Sequence, residues 1–254
     1  MEQKRENEAE MEEKREIDSM KEAGPLELPA VTLRGMTILP DMIIHFDLSR
    51  EKSVLAVEAA MMGSQRLFAV TQKDPEDQDP ELEQVYPVGT IVMVKQVTRL
   101  TGAMVRVLVE GISRAKIQAF LPETEFLTAQ VIHMEEGREQ IDEIEKEAML
   151  GTLKEEFAKY TTCFPKIGAT ISKQVEESSD LGYILDQITI NIPLPYQKKQ
   201  QVLSAALLAE RFQTLTALLI NEVEIAQIKN RLSVQVKKRL DQNQKEYILR
   251  EQMR

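Results

Sequence analysis

The chain has 254 residues, 43% hydrophobic and 29% charged, with a formal net charge of −10. That length allows one or two domains with a sizeable core, and the acidic balance argues against nucleic acid or anionic lipid as a partner of the whole chain. The lone cysteine, Cys163, excludes an internal disulfide, no uncharged run approaches a membrane span, and the N-terminus has no apolar signal core. Together these features make the reducing cytoplasm the expected location, with no membrane partner.

Residues 1–24 carry nine acidic and five basic side chains and few apolar ones. They read as a charged, flexible leader. From residue 25 to 135 the pattern is β-rich. Val31–Leu33 and Met42–Phe46 read as strands separated by a bend that Gly35 and Pro40 punctuate. Arg50–Met62 reads as a helix, with Ser49 able to cap it and Gly63 to stop it. Arg66–Thr71 is a short apolar strand, and the acidic, proline-broken stretch Gln72–Gln84 is a surface loop.

The clearest β signal spans Val88–Ile117. Val105, Val107 and Val109 alternate with Arg106, Leu108 and Glu110, which is period two. Thr101-Gly102 fits a tight two-residue turn, and Gly111 predicts a bulge or bend. Thr124–Met134 is a further strand. About six strands and one helix predict a small curled sheet or partial barrel.

Near residue 136 the period becomes helical. Glu136–Tyr160, Ile167–Glu176 and Leu181–Ile190 read as helices, and Ile192-Pro193-Leu194-Pro195 as a rigid turn. The remainder is dense in good helix formers and has no proline and no glycine. A helix over 207–254 would run on the order of 70 Å. Leu208, Phe212, Leu215, Leu219 and Val223 form one apolar stripe. From Lys229 on the apolar positions thin out, eight basic residues face three acidic ones, and the pattern reaches Arg254 without a stop signal. The expected class is α+β: a small curled β-sheet lobe with one helix, then an all-α lobe (136–206) ending in a long projecting helix. That helix is expected to leave the lobe near Lys229 and to join a part that lies beyond this chain.

Chemistry is harder to find. There is no phosphate loop and no nucleophile elbow. His45 and His133 fall in predicted strands without ligands at metal spacing, and Cys163 has no partner histidine. No catalytic, cofactor-binding or metal site is assigned. The residues point to a binding and connecting protein.

Three stretches carry a family resemblance. LPAVTLRGMTILPDMIIHFDLSREKSVLAVEAAMM begins with a P-x-x-x-L-R motif and runs into an alanine- and methionine-rich helix. VGTIVMVKQVTRLTGAMVRVLVEGISRAKI and the terminal VKKRLDQNQKEYILREQMR follow. Together they resemble the amino-terminal region of Lon proteases, from about residue 28 to 254, and the last stretch is the most specific. The resemblance implies part of a homo-hexameric, ATP-dependent AAA+ serine protease of protein quality control and stress response. This part would recognise misfolded, damaged or degron-bearing proteins. ATP and Mg would belong to an ATPase module outside this chain, so no catalytic or nucleotide residue carries over. Met36, Ile38, Met42, Met61 and Met62 are the candidate substrate contacts, because unfolded segments display apolar groups that an exposed apolar surface can bind. The alternative is a stand-alone adaptor or scaffold that dimerises through its long helix.

Overall fold

The computed structural model describes residues 24–122, 125–134 and 141–252. The predicted leader, apart from Gly24, and the expected helix start at 136 lie outside the described residues. By contact clustering the chain forms two compact units, residues 1–140 with 185–211, and residues 141–184 with 212–254.

The first unit is built on six strands: β1 Leu26–Leu33, β2 Ile43–Leu48, β3 Arg66–Thr71, β4 Val88–Arg99, β5 Val105–Leu121 and β6 Thr128–His133. One helix, α1 (Glu51–Met62), lies between β2 and β3 in the chain. The sheet order is β2-β5-β4-β3-β1-β6, and β5 also pairs with β6. That extra pairing closes five strands into a ring and leaves β2 flanking the first half of β5. Among the described strands only β1 and β3 run parallel. The 17-residue β5 makes this possible, because its first half pairs with β2 and its second half with β6.

Period two holds along the start of β5, where Val105, Val107 and Val109 are buried. The register then slips: Val92 pairs with Gly111 while Ile91 pairs with Ser113. The bulge expected at Gly111 is therefore present, and it exchanges the faces of everything after it. Unbroken alternation would put Arg114 outside with Arg106. The slip turns it inward, and Arg114 is among the largest fully buried side chains. Glycine is needed at 111 for a second reason. A Cβ there would stand 2.1 Å from the Leu39 carbonyl oxygen.

The hairpin between β4 and β5 differs from the expected two-residue turn. Leu100 N–H donates to the Met104 carbonyl, so three residues cross the turn, with Gly102 at φ 76°. The left-handed residue lets a three-residue loop follow the twist of the strands. The helix cap also differs. Arg50, not Ser49, is the N-cap of α1, without a side-chain cap bond. Its guanidinium donates to Thr32 Oγ1 (2.7 Å), Gln72 Oε1 (3.0 Å) and the Asp77 carbonyl (2.6 Å), tying the helix start to β1 and to the acidic loop.

Two apolar clusters fill this unit. Val31, Leu33, Leu67, Ala69, Val92 and Val107 pack against Ala56, Val57 and Ala60 of α1. Leu28, Phe68, Val70, Ile91, Ile117 and Val131 form the other cluster. β3 contributes to both, which explains its unbroken apolar run. Each fully buried Val or Leu contributes about 1.5–3 kcal/mol.

Residues 185–211 complete the first unit. They contain most of α4 (Leu181–Asn191) and all of α5 (Tyr196–Ser204). The sequence placed α5 with the helical lobe of residues 136–206, but it packs on the barrel: Leu203 lies with Leu39 and Val88. Gln200 Nε2 donates to the Val88 carbonyl at 2.8 Å, and Thr37 Oγ1 donates to the Tyr196 carbonyl. Arg114 grips the segment from the sheet side. Its guanidinium makes two bonds to the Asp186 carboxylate (2.8 and 2.6 Å) and one to the Leu203 carbonyl (3.2 Å). Arg211 Nη1 stands 3.8 Å from the same carboxylate, and all three side chains are buried.

The second unit is helical. α2 (Glu143–Cys163) is capped by Asp142, and α3 (Pro165–Glu177) opens on a proline, which suits a first helical position. Leu153, Phe157 and Tyr160 of α2 are buried, as are Ile171 and Val175 of α3. Tyr160 stacks with Phe164 at 4.6 Å between ring centroids. Lys154 Nζ donates to the Glu176 and Ser178 carbonyls, satisfying the end of α3. α6 (Leu208–Gln252) is one helix of 45 residues, about 67 Å of rise. Leu215 and Leu219 are buried, but from Gln227 to Lys245 every residue is exposed. The exposure begins two residues before the predicted departure at Lys229. The whole is an α+β fold, a curled sheet with one helix followed by helices.

Candidate functional site

The outer face of α1 exposes two methionines, Met61 and Met62. Ser53, Ala56, Val57 and Ala60 recur at helical spacing and face the core. The larger side chains therefore point outward. Val54 and Met61, and likewise Leu55 and Met62, stand seven residues apart, on the same side of the helix. A groove runs along this face toward the β4–β5 hairpin, lined by Val54, Leu55, Glu58, Ala103 and Met104. Arg99 at the hairpin reaches Glu58 at 2.8 Å and bridges the two walls.

The five residues singled out from sequence divide into three groups. Met61 and Met62 are 37% and 86% exposed. Met36 and Met42 are half-buried against the core. Ile38 is 1% exposed and belongs to the core, so it cannot contact a partner in this fold. The reason is local. Residues 37–40 fold inward, the Thr90 hydroxyl donates to the Ile38 carbonyl at 2.6 Å, and Leu39 fills the space left by Gly111. Val54, Leu55 and Met104, which line the groove, were not singled out from sequence. Met104 carried a signal: a large apolar side chain beside a glycine turn, where polar residues are usual.

A second depression lies between the ends of β1 and β2. Leu33, Arg34, Met36, Phe46, Leu48 and Arg50 are among its lining residues. Beside it, Arg106 makes two bonds to the Asp47 carboxylate (2.7 and 2.9 Å) and holds that carboxyl below its usual range. Burial and the neighbouring Arg34 charge push the Arg50 guanidinium down, while Asp79 and Asp77 offset part of this.

Among the described residues no three His, Cys, Asp or Glu side chains gather as a metal-holding group. Cys163 is half-buried at the end of α2. Among the described residues, no helix is long and apolar enough to cross a membrane.

The first unit is thus a ring of five strands with a sixth beside it, and it carries a groove with a largely apolar lining next to the Arg99–Glu58 pair. Residues 27–221 match the family described as ATP-dependent protease La (LON) substrate-binding domain, and the chain belongs to that family. Over 228 residues it is 40% identical to a Lon protease of Lachnoclostridium phytofermentans, covering 90% of this chain and 28% of that protein. It is 34% identical over 232 residues to a Lon protease of Brevibacillus choshinensis, covering 91% and 30%. The N-terminal domain of Mycobacterium avium complex Lon protease has the same fold, with a TM-score of 0.61 at 19% identity, over 76% of this chain and 98% of that one. The chain thus spans less than a third of the length of these relatives.

Proposed function

We propose that this chain is the substrate-recognition part of an ATP-dependent serine protease, and that it binds misfolded, damaged or degron-bearing proteins through the outer face of α1. The observation that carries the reading is the exposed pair Met61 and Met62 on α1, beside a groove lined by the exposed Met104 and the half-buried Val54 and Leu55. An unfolded chain displays the apolar groups that fit such a groove, and a folded protein hides them. In this reading, residues 207–254 form the link to an ATPase module where ATP and Mg act, and the whole protein assembles as a cytoplasmic homo-hexamer.

The test is binding of this chain to labelled α-lactalbumin, either native or reduced and carboxymethylated. Binding is expected only for the unfolded form. Met61→Glu combined with Met62→Glu should weaken it at least tenfold, since burying one methionine side chain is worth about 1.5–3 kcal/mol. Both positions are exposed, so the melting temperature should not move. Equal affinity for the two forms of α-lactalbumin would refute the reading.

A further inference from the structure

β2 is an edge strand. It pairs with β5 on one side, and no described residue pairs along its other side. The direction of its backbone groups follows from one bond. Gly111 N–H donates to the Met42 carbonyl, so Met42 faces β5. Alternation then points Ile44, Phe46 and Leu48 toward β5 and the N–H and C=O groups of Ile43, His45 and Asp47 away from it. The hairpin gives the same parity independently. Leu100 N–H donates to the Met104 carbonyl, so Arg106 faces β4 and not its partner Asp47. Three residues therefore offer six backbone hydrogen-bonding groups in a row.

Edges of this kind are usually blunted by lysine, proline or a bulge. β2 reads IIHFDL, contains no lysine or proline, and leaves Ile43 67% exposed. The depression between β1 and β2 adjoins this edge on the side of Phe46 and Leu48. Met36, Arg34 and Arg50 stand among its lining residues. Arg34 donates to the Asp77 carbonyl and Gln78 Oε1, and Arg50 to Thr32, Gln72 and the Asp77 carbonyl, all neutral oxygens. Among the described residues neither guanidinium is hydrogen-bonded to a carboxylate, although the Asp79 and Asp77 charges act on Arg50, so an acidic side chain complements this pair, Arg34 above all.

We infer that an extended segment of unfolded polypeptide adds as a strand to the free edge of β2, placing an apolar side chain over Met36 and a carboxylate beside Arg34 and Arg50. This rests on the proposed binding of unfolded protein and adds a backbone-reading subsite to the side-chain groove of α1. Strand addition draws affinity from main-chain bonds and tolerates many sequences. That suits a site that must accept unrelated chains.

The test follows amide hydrogen exchange by NMR, with reduced carboxymethylated α-lactalbumin as the probe and its binding measured by anisotropy in the same samples. Exchange at Ile43, His45 and Asp47 should slow at least tenfold on binding. His45→Pro removes one outward N–H and none directed at β5, so it should weaken binding at least tenfold, whereas His45→Ala should change it less than twofold. Arg34→Ala should weaken binding several-fold at low salt and less at high salt. Retained binding with unchanged exchange at these three amides overturns strand addition and leaves the broader reading standing. Loss of all binding to the unfolded probe overturns both. Protection that grows with the chain's own concentration, without probe, would assign the edge to a second copy and overturn the inference. If His45→Pro fails to fold, the exchange of the unaltered chain decides.

Discussion

Replacing Asp186 by alanine should be among the most damaging single changes in the first unit. Asp186 accepts two bonds from Arg114 and stands 3.8 Å from Arg211, with all three side chains buried. Removing the carboxylate takes an anion away from two guanidinium groups that are held out of water. Breaking a buried pair in this way costs about 3–5 kcal/mol. For a domain of this size each kcal/mol shifts the melting temperature by roughly 2–4 °C, so a fall of roughly 6–20 °C is expected. Circular dichroism measures it, and trypsin cleavage at Lys198 and Lys199 should accelerate as the 185–211 segment loosens. A companion variant separates charge from packing. Arg114→Met, Asp186→Leu and Arg211→Leu together remove these three charges, and most of the loss should return, because apolar residues of similar volume replace buried ion pairs at little cost. A fall below about 2 °C for Asp186→Ala would refute the claim that this pair anchors the segment. A triple variant no more stable than the single one would refute the electrostatic account of it.

Gly111→Ala should destabilise the barrel by several kcal/mol, read from urea unfolding, because the new Cβ would meet the Leu39 carbonyl oxygen at 2.1 Å and backbone must move. Gly151→Ala, where an added Cβ meets nothing within 4 Å inside α2, should instead stabilise by about 0.5–1 kcal/mol. Burial and the Glu222 charge push the Tyr160 hydroxyl up to about 12. The unfolded chain releases this proton from about pH 10, so the contribution is complete below pH 10 and is lost as pH rises toward 12. Alkaline melts should show that slope, and Tyr160→Phe should flatten it. Limited proteolysis should cut α6 first beyond Gln227, where every described side chain is exposed; uniform protection to Lys245 would contradict it.

How much of this was legible in the sequence depended on the distance over which each interaction acts. Period two in Val105–Val109, the helix after Ser49 and the long terminal helix all rest on spacing within a few residues, and they were readable. The pairing of β5 with both β2 and β6 joins residues far apart in sequence, so closure of the ring was not. Gly111 marked a bulge, but its consequence, the inward turn of Arg114 onto Asp186, required the register. The binding surface suffered from the same limit. α1 is apolar nearly all round, so its sequence does not say which face is buried. Ile38 sits in a proline-punctuated stretch that resembles a surface loop, yet the missing Cβ at 111 draws that stretch inward. Composition could indicate a surface rich in methionine, but not which methionines would stand on it.

The exposed half of α6 carries one more consequence. Ile228, Leu232, Val236 and Leu240 follow each other at intervals of four. A strict interval of four overshoots the helical turn by about 40° each time, so the row winds a third of the way round the cylinder in twelve residues. Rows of this kind are the ridges that neighbouring helices meet at crossing angles near −50°, over a turn or two. They are not the seam of a supercoiled pair, which needs apolar positions every 3.5 residues to keep facing a partner. A helix that sets its own four-residue row against this one would cross it obliquely and over a short length.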